Sequence, residues 1–149
     1  ALLLSDLVTG VTHNHPEGML GARAVTATTF LARQGKSKEE IRRYIVENFY
    51  PLDFTIGEIQ NDYWKGRGLG TCGNSIPQAL QAFFESTDFE SANRLAVGLG
   101  GDTDTLGAMV GAPAGAYYGV PVETAEKVET YLTEDLRKAI AGFESRFSP

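Results

Sequence analysis

Start and stop signals for α-helices recur along the whole chain, whereas sustained alternation of polar and β-branched residues is absent. Capping-box spacing at Ser37–Glu40 precedes apolar residues at helical intervals, and Thr55–Glu58 repeats the same spacing. Pro16 opens a helical stretch that extends to about Gln34, where Gly35 ends it. The sequence therefore predicts an all-α fold.

Further helices are predicted on both sides of this stretch. Ser75 and Asp88 are expected to cap helices, and a last amphipathic helix follows Thr133. The segment Ala1–Val8 has the pattern of helical turns; Asp6 and the lack of basic residues argue against a signal peptide. This segment is either the end of a helix that begins upstream or a short N-terminal helix.

Composition limits the size of the fold and its partners. With 149 residues, the chain is predicted to form a single domain over residues 1–149. Nineteen acidic residues against thirteen Lys and Arg give a net charge of −6, which argues against non-specific binding to nucleic acid or to anionic membranes. A single cysteine, Cys72, excludes a disulfide framework and a cysteine-built zinc site. We expect a cytoplasmic protein.

The segment Thr103–Tyr118 is rich in glycine and alanine and contains Pro113. Relative to alanine, an interior glycine costs a helix about 1 kcal/mol and an interior proline about 3 kcal/mol. A helix of this composition would not persist in water, so it is predicted to be the most buried helix of the bundle. The alternative is a helix that breaks at Pro113.

The stretch Gly100–Thr105 carries the most informative side chains. Asp102 and Asp104 stand two positions apart and are followed by the hydroxyl of Thr105. Neighbouring carboxylates repel each other unless a cation or a proton lies between them. Oxygen donors of this kind suit Mg²⁺ or Mn²⁺. Capping of the following helix would explain one carboxylate without a metal, so both interpretations stand at this point.

Two other clusters are candidates for ligand binding. His13 and His15 are spaced for a metal chelate, although a histidine before a helix is also a common cap. A glycine-rich loop over residues 65–75 ends in Thr71–Ser75, whose backbone amides precede a helix and are suited to an anion. Nothing in the sequence supports Cys72 as a nucleophile.

Together these motifs resemble the ADP-ribosylglycohydrolase family, which includes the dinitrogenase-reductase-activating glycohydrolases. The resemblance rests on Thr12–Ala22, on Cys72–Leu80 and on Gly100–Pro121, in which the Gly-Gly-Asp-x-Asp-Thr element is the most specific. Order and spacing match over nearly the whole chain, most closely the compact bacterial members.

The resemblance implies an orthogonal helical bundle with two Mg²⁺ or Mn²⁺ ions in a central cleft. It implies that Asp102, Asp104 and Thr105 are metal ligands and that the two aspartates are also catalytic. The implied substrate-binding residues are His13, Gly73, Asn74, Ser75 and Gly101.

The resemblance also implies hydrolysis of an N- or O-glycosidic bond to ADP-ribose on a protein or a small molecule. Family members are longer, and their N-terminal half supplies an acidic residue and a Thr-Asp-Asp run that this sequence lacks. We therefore expect the C-terminal half of such a domain, with the ligands of the second ion incomplete. It is either part of an enzyme whose activity needs the rest, or an inactive ADP-ribose- or metal-binding remnant.

An absent N-terminal half would leave apolar surface uncovered. The expected surface comprises Leu2, Leu3, Leu4 and Leu7 together with faces of the glycine- and alanine-rich helix. Because soluble monomers rarely expose large apolar patches, we expect a homodimer or association with the missing half.

Overall fold

The computed structural model describes residues 1–63 and 70–147 and confirms the all-α fold, with no strand in those residues. A 3₁₀ turn at Cys72–Asn74 precedes α5. None of the helices in these residues is long and apolar enough to cross a bilayer. The helices are α1 (Leu2–Thr9), α2 (Pro16–Arg33), α3 (Lys38–Asn48), α4 (Ile56–Ile59), α5 (Ile76–Glu85), α6 (Phe89–Val97), α7 (Thr103–Tyr118), α8 (Val122–Glu129) and α9 (Glu134–Phe147).

The chain divides into two compact units, Ala1–Gly119 and Val120–Pro149. The first unit holds α1 to α7 and every buried residue of the described chain. The second unit holds α8 and α9, which carry exposed apolar side chains such as Leu136 and Phe143. A single domain over residues 1–149 stays a prediction.

Both capping boxes predicted from the sequence are present. At the start of α3, the Ser37 hydroxyl accepts the Glu40 amide hydrogen, and the Glu40 carboxylate accepts the Ser37 amide hydrogen at 2.9 Å. Thr55 and Glu58 make the same reciprocal pair, although the helix that follows is one turn long. These caps satisfy amide groups that a helix leaves without partners in its first turn.

The helix α7 continues unbroken through Pro113 and packs against α2, α5 and α6. Its prediction as the most buried helix is wrong, because α5 holds that place with only Gln78 incompletely buried between Ile76 and Phe83. Large side chains on α5 fill the space between α2, α4, α6 and α7, whereas the small residues of α7 leave part of its surface open. The buried residues of α7 are Leu106, Val110, Pro113 and Ala114.

The ammonium group of Lys38 joins the ends of three helices. It lies 5.1 Å from the ring centre of Phe83 and 5.0 Å from that of Tyr118, so both rings face a cation. The same group donates a hydrogen bond to the carbonyl of Ser86, just after α5. The start of α3 and the ends of α5 and α7 are thereby fixed to one another.

The first helix is anchored to α2 by a bidentate ion pair. Arg23 donates from Nε to one oxygen of Asp6 at 2.6 Å and from Nη2 to the other at 2.7 Å, which lowers the pKa of Asp6. Leu2 packs against the core. Leu3, Leu4 and Leu7 are 74%, 66% and 65% exposed, in agreement with the expected apolar surface, whereas the expectation that Leu2 belongs to that surface is wrong.

Gly21 marks the closest approach of α2 to the start of α5. A Cβ atom at this position would lie 3.1 Å from Cγ1 of Ile76 and 3.3 Å from Sγ of Cys72. By contrast, a Cβ atom on Gly107 of α7 would meet nothing within 4 Å. Close packing therefore restricts position 21 to a small residue, whereas no neighbouring atom restricts position 107.

We expect Gly107→Ala to raise the free energy of unfolding by about 1 kcal/mol, because alanine is the better helix former. Gly21→Ala gains the same helix propensity, but its added methyl group overpacks a filled interface. We expect the overpacking to lower the free energy of unfolding by roughly 1–3 kcal/mol. Urea denaturation of both variants measures the difference. Equal stability of the two variants would contradict the steric role assigned to Gly21.

Candidate functional site

A cavity of about 200 Å³ lies where the start of α7, the start of α5 and the segment before α2 meet. We call it the site cavity. Its apolar wall includes Ile76, Leu106 and Met109. Its polar lining residues within the described chain are His13, Tyr63, Cys72, Ser75, Asp102 and Thr105.

Two consecutive glycines shape the turn that leads into α7. Gly100 has φ +77° and Gly101 has φ +73°, a left-handed conformation that favours glycine at both positions. The carbonyl of Gly101 accepts a hydrogen bond from the amide of Thr103 at 3.0 Å. The turn places Asp102 at the first position before the helix.

Asp102 occupies the N-cap position of α7, yet its side chain makes no capping hydrogen bond. Asp88 in the same position of α6 behaves differently, because its carboxylate accepts the amide hydrogen of Ser91 at 2.7 Å. Capping therefore does not account for Asp102. Asp102 is one of the residues that line the site cavity.

The side chain of Asp104 interacts with that of Asp102, two positions before it at the start of α7. This interaction, and a hydrogen bond from the backbone amide of Thr105, hold the pKa of Asp104 below its usual value. Asp104 does not line the site cavity, whereas Thr105 does. Two neighbouring carboxyl groups need a proton or a cation between them, so this pair, with the nearby Thr105, is a candidate for oxygen ligands to a cation.

The two histidines serve separate purposes. Nδ1 of His13 lies 2.8 Å from Oγ1 of Thr12, and His13 lines the site cavity. His15 caps α2, since its Nδ1 accepts the amide hydrogen of Glu17 at 3.3 Å. Within residues 1–63 and 70–147 no three His, Cys, Asp or Glu side chains are grouped to hold a metal ion.

The loop before α5 contributes fewer lining residues than predicted. Ser75 lines the site cavity, but its hydroxyl donates to the carbonyl of Thr71 at 2.8 Å instead of capping the helix, so that capping prediction is wrong. Gly73, Asn74 and Gly101 are not among the lining residues. The predicted loop residues 65–69 lie outside the described residues.

The sequence analysis did not identify Tyr63 as a site residue. It is buried in the core, with 6% of the residue exposed, and its hydroxyl donates to the carbonyl of Asn74 at 2.5 Å. Burial and the negative charge of Asp102 raise the pKa of this phenol. Its position four residues after Ile59 fits an ordinary apolar helix face. The sequence does offer one chemical indication, because the hydroxyl of a buried tyrosine generally forms a hydrogen bond. A tyrosine on an apolar helix face is therefore expected to have a polar partner.

A second, larger cavity adjoins the site cavity. This apolar groove of about 770 Å³ is bordered by α1, α2 and α7, and Leu4, Phe30 and Ala112 are among its lining residues. His13 and Cys72 line both cavities and so form part of the wall between them.

Comparison with known proteins places these features in a family. The family model described as ADP-ribosylglycohydrolase matches residues 1–147. The ADP-ribosylarginine hydrolase Tri1 of Pseudomonas putida (strain GB-1) is 36% identical over 124 residues, which cover 79% of this chain and 33% of that protein. A solved structure titled "ADP-ribosylglycohydrolase-related protein complex" aligns with a TM-score of 0.62 and 31% identity, over 81% of this chain and 45% of the other.

This chain thus spans about a third of the curated relative and less than half of the solved one. The family match nevertheless covers both the turn at Gly100–Gly101 and the segments that bring His13 and Ser75 to the site cavity. The chain belongs to the ADP-ribosylglycohydrolase family.

Proposed function

We propose that this chain binds ADP-ribose at the site cavity and takes part in the hydrolysis of its glycosidic linkage. Three segments that are distant in sequence meet at this cavity, and this arrangement supports the proposal. They contribute the lining residues His13, Ser75, Asp102 and Thr105. Membership in the ADP-ribosylglycohydrolase family supports the reaction class. A cytoplasmic setting is part of the same proposal.

The size of the site cavity limits what it holds. Pockets that enclose a whole drug-sized ligand measure about 300–1,000 Å³, so a cavity of about 200 Å³ accommodates part of ADP-ribose. We assign the ribose next to the acceptor to this space. The hydroxyl of Ser75 and the ring of His13 offer hydrogen bonds to its hydroxyl groups.

A divalent ion is part of the proposal. Asp102, Asp104 and Thr105 would hold Mg²⁺ or Mn²⁺, because the two carboxyl groups lie two residues apart and interact, and Asp102 is not used as a cap. Such an ion, when bound, supplies charge neutralisation and lowers the pKa of a bound water. No three His, Cys, Asp or Glu side chains in the described residues are grouped to hold an ion, so the donor set is incomplete for this ion as well as for a second one.

Asp102 is the one carboxylate among the described residues that line the site cavity. Hydrolysis breaks the bond between the anomeric carbon and the acceptor, adds water at that carbon and returns a proton to the acceptor. We assign to Asp102 the acceptance of a proton from the attacking water and its return to the departing acceptor, so that one proton is taken up and one released. We propose an ADP-ribosylated arginine as the substrate, because a relative at 36% identity is named an ADP-ribosylarginine hydrolase.

A second candidate function is binding of ADP-ribose or a metal ion without turnover. It is favoured by the incomplete donor set in the described residues. In this case the groove bordered by α1, α2 and α7 would serve association with a second copy of the chain. Both candidate functions use the same site cavity and differ in whether a product is released.

We expect Asp102→Asn to lower the affinity for Mn²⁺ about tenfold or more, because even residues behind a direct ligand change metal affinity by 10–100-fold. Electron paramagnetic resonance of free Mn²⁺ measures the binding constant. Asp88→Asn is the matched control, since asparagine keeps the cap of α6 while removing one charge. Unchanged affinity in Asp102→Asn would contradict the metal assignment.

We expect this chain to release ADP-ribose from ADP-ribosylarginine weakly or not at all, because the described residues provide an incomplete donor set. Chromatography of the products after incubation with Mn²⁺ measures the release. Rapid release that depends on the divalent ion would exclude the second candidate function and would mean that one donor set is sufficient.

We expect self-association at micromolar concentration, because the leucines of α1 expose apolar surface next to the groove. Sedimentation velocity measures the mass. Leu4→Lys, at a groove-lining position, should shift the distribution toward monomer. Val11→Lys is the control, because Val11 is 82% exposed and does not line the groove. A monomeric wild-type chain would contradict the expectation.

A further inference from the structure

Tyr63 links the hydrophobic core to the loop that borders the site cavity. Its ring belongs to the buried cluster that also contains Leu99 and Leu106, and only 6% of the residue is exposed. Its hydroxyl leaves this cluster and donates to the carbonyl of Asn74 at 2.5 Å. One side chain therefore fixes a loop position relative to residues packed near the start of α7.

The segment that receives this hydrogen bond is a single turn of 3₁₀ helix. Within it, the amide of Asn74 donates to the carbonyl of Thr71 at 3.0 Å, and the amide of Ser75 donates to that of Cys72 at 3.3 Å. These bonds join neighbours in sequence and define the shape of the turn. The bond from Tyr63 ties the turn to the core cluster that contains Leu106 of α7, in addition to the packing of Cys72 beside Gly21 of α2.

The position of this turn decides the geometry of the site cavity. Cys72 and Ser75 border the cavity on the loop side, and Asp102 and Thr105 border it on the α7 side. Tyr63 itself lines the cavity between the core and the loop. A shift of the turn would change the separation between Ser75 and the two α7 side chains.

We propose that Tyr63 is a positioning residue for ADP-ribose recognition, and that it acts by holding the Cys72–Asn74 turn at a fixed distance from Asp102 and Thr105. This inference rests on the proposed function. It adds a residue whose hydroxyl is committed to a backbone carbonyl and is therefore not available to donate to a ligand. The proposed metal donors Asp102, Asp104 and Thr105 lie at the start of α7, outside the turn that accepts the hydrogen bond of Tyr63.

The test is Tyr63→Phe, which keeps the ring in the core and removes the one hydroxyl. Tyr50→Phe is the matched control, because the Tyr50 hydroxyl is also buried but has no hydrogen-bond partner among the described residues. Calorimetric titration with ADP-ribose, resonance titration with Mn²⁺, and hydrogen exchange without ligand are measured on wild type and both variants.

We expect Tyr63→Phe to weaken ADP-ribose binding by about threefold to tenfold, the effect of one lost hydrogen bond. Exchange at residues 71–75 should be faster, while the Mn²⁺ affinity should equal that of wild type. Tyr50→Phe should match wild type in all three measurements. The contrast between the two ligands separates positioning of the loop from general loss of structure.

Three outcomes would overturn the inference. Equal ADP-ribose affinity in Tyr63→Phe and wild type would remove the positioning role and leave the proposed function intact. A parallel loss of ADP-ribose and Mn²⁺ affinity would reduce Tyr63 to a residue of general stability. Absence of ADP-ribose binding by the wild-type chain would overturn the proposed function, and this inference with it.

Discussion

The close approach of α2 to the start of α5 is the constraint on which the site depends. Gly21 allows it, because any side chain there would press on Ile76 and on the thiol of Cys72. The same contact brings the segment that carries His13, just before α2, next to the loop that carries Ser75. With a wider separation, these two segments and α7 would no longer enclose one cavity.

Elements that depend on local sequence could be predicted, and their physical basis explains why. The capping boxes at Ser37 and Thr55 are reciprocal bonds between residues three apart, so the spacing alone specifies them. The degree of burial of α7 could not be predicted in this way. It depends on which neighbour supplies the large side chains, and α5 supplies them through residues such as Leu80 and Phe83.

The same division applies to the candidate site. Asp102 and Thr105 were predicted from one short motif, and the structure brings them to the site cavity, while their role in metal binding stays a proposal. Gly73 and Asn74 were assigned from a resemblance, and neither lines the cavity. Tyr63 could not be predicted as a site residue, because it contributes a hydrogen bond to a backbone carbonyl eleven residues away. A pattern of side chains in the sequence does not indicate such a bond.

The ammonium group of Lys38, at the start of α3 and the ends of α5 and α7, differs from the ion pairs on helix surfaces in its sensitivity to dissolved ions. Pairs such as Glu90 with Arg94 are exposed to water, and dissolved ions weaken their attraction. Lys38 is held by the faces of aromatic rings and by a carbonyl group, with no carboxylate partner within the described residues. This corner of the fold therefore tolerates changes in ionic strength that loosen the helix surfaces around it.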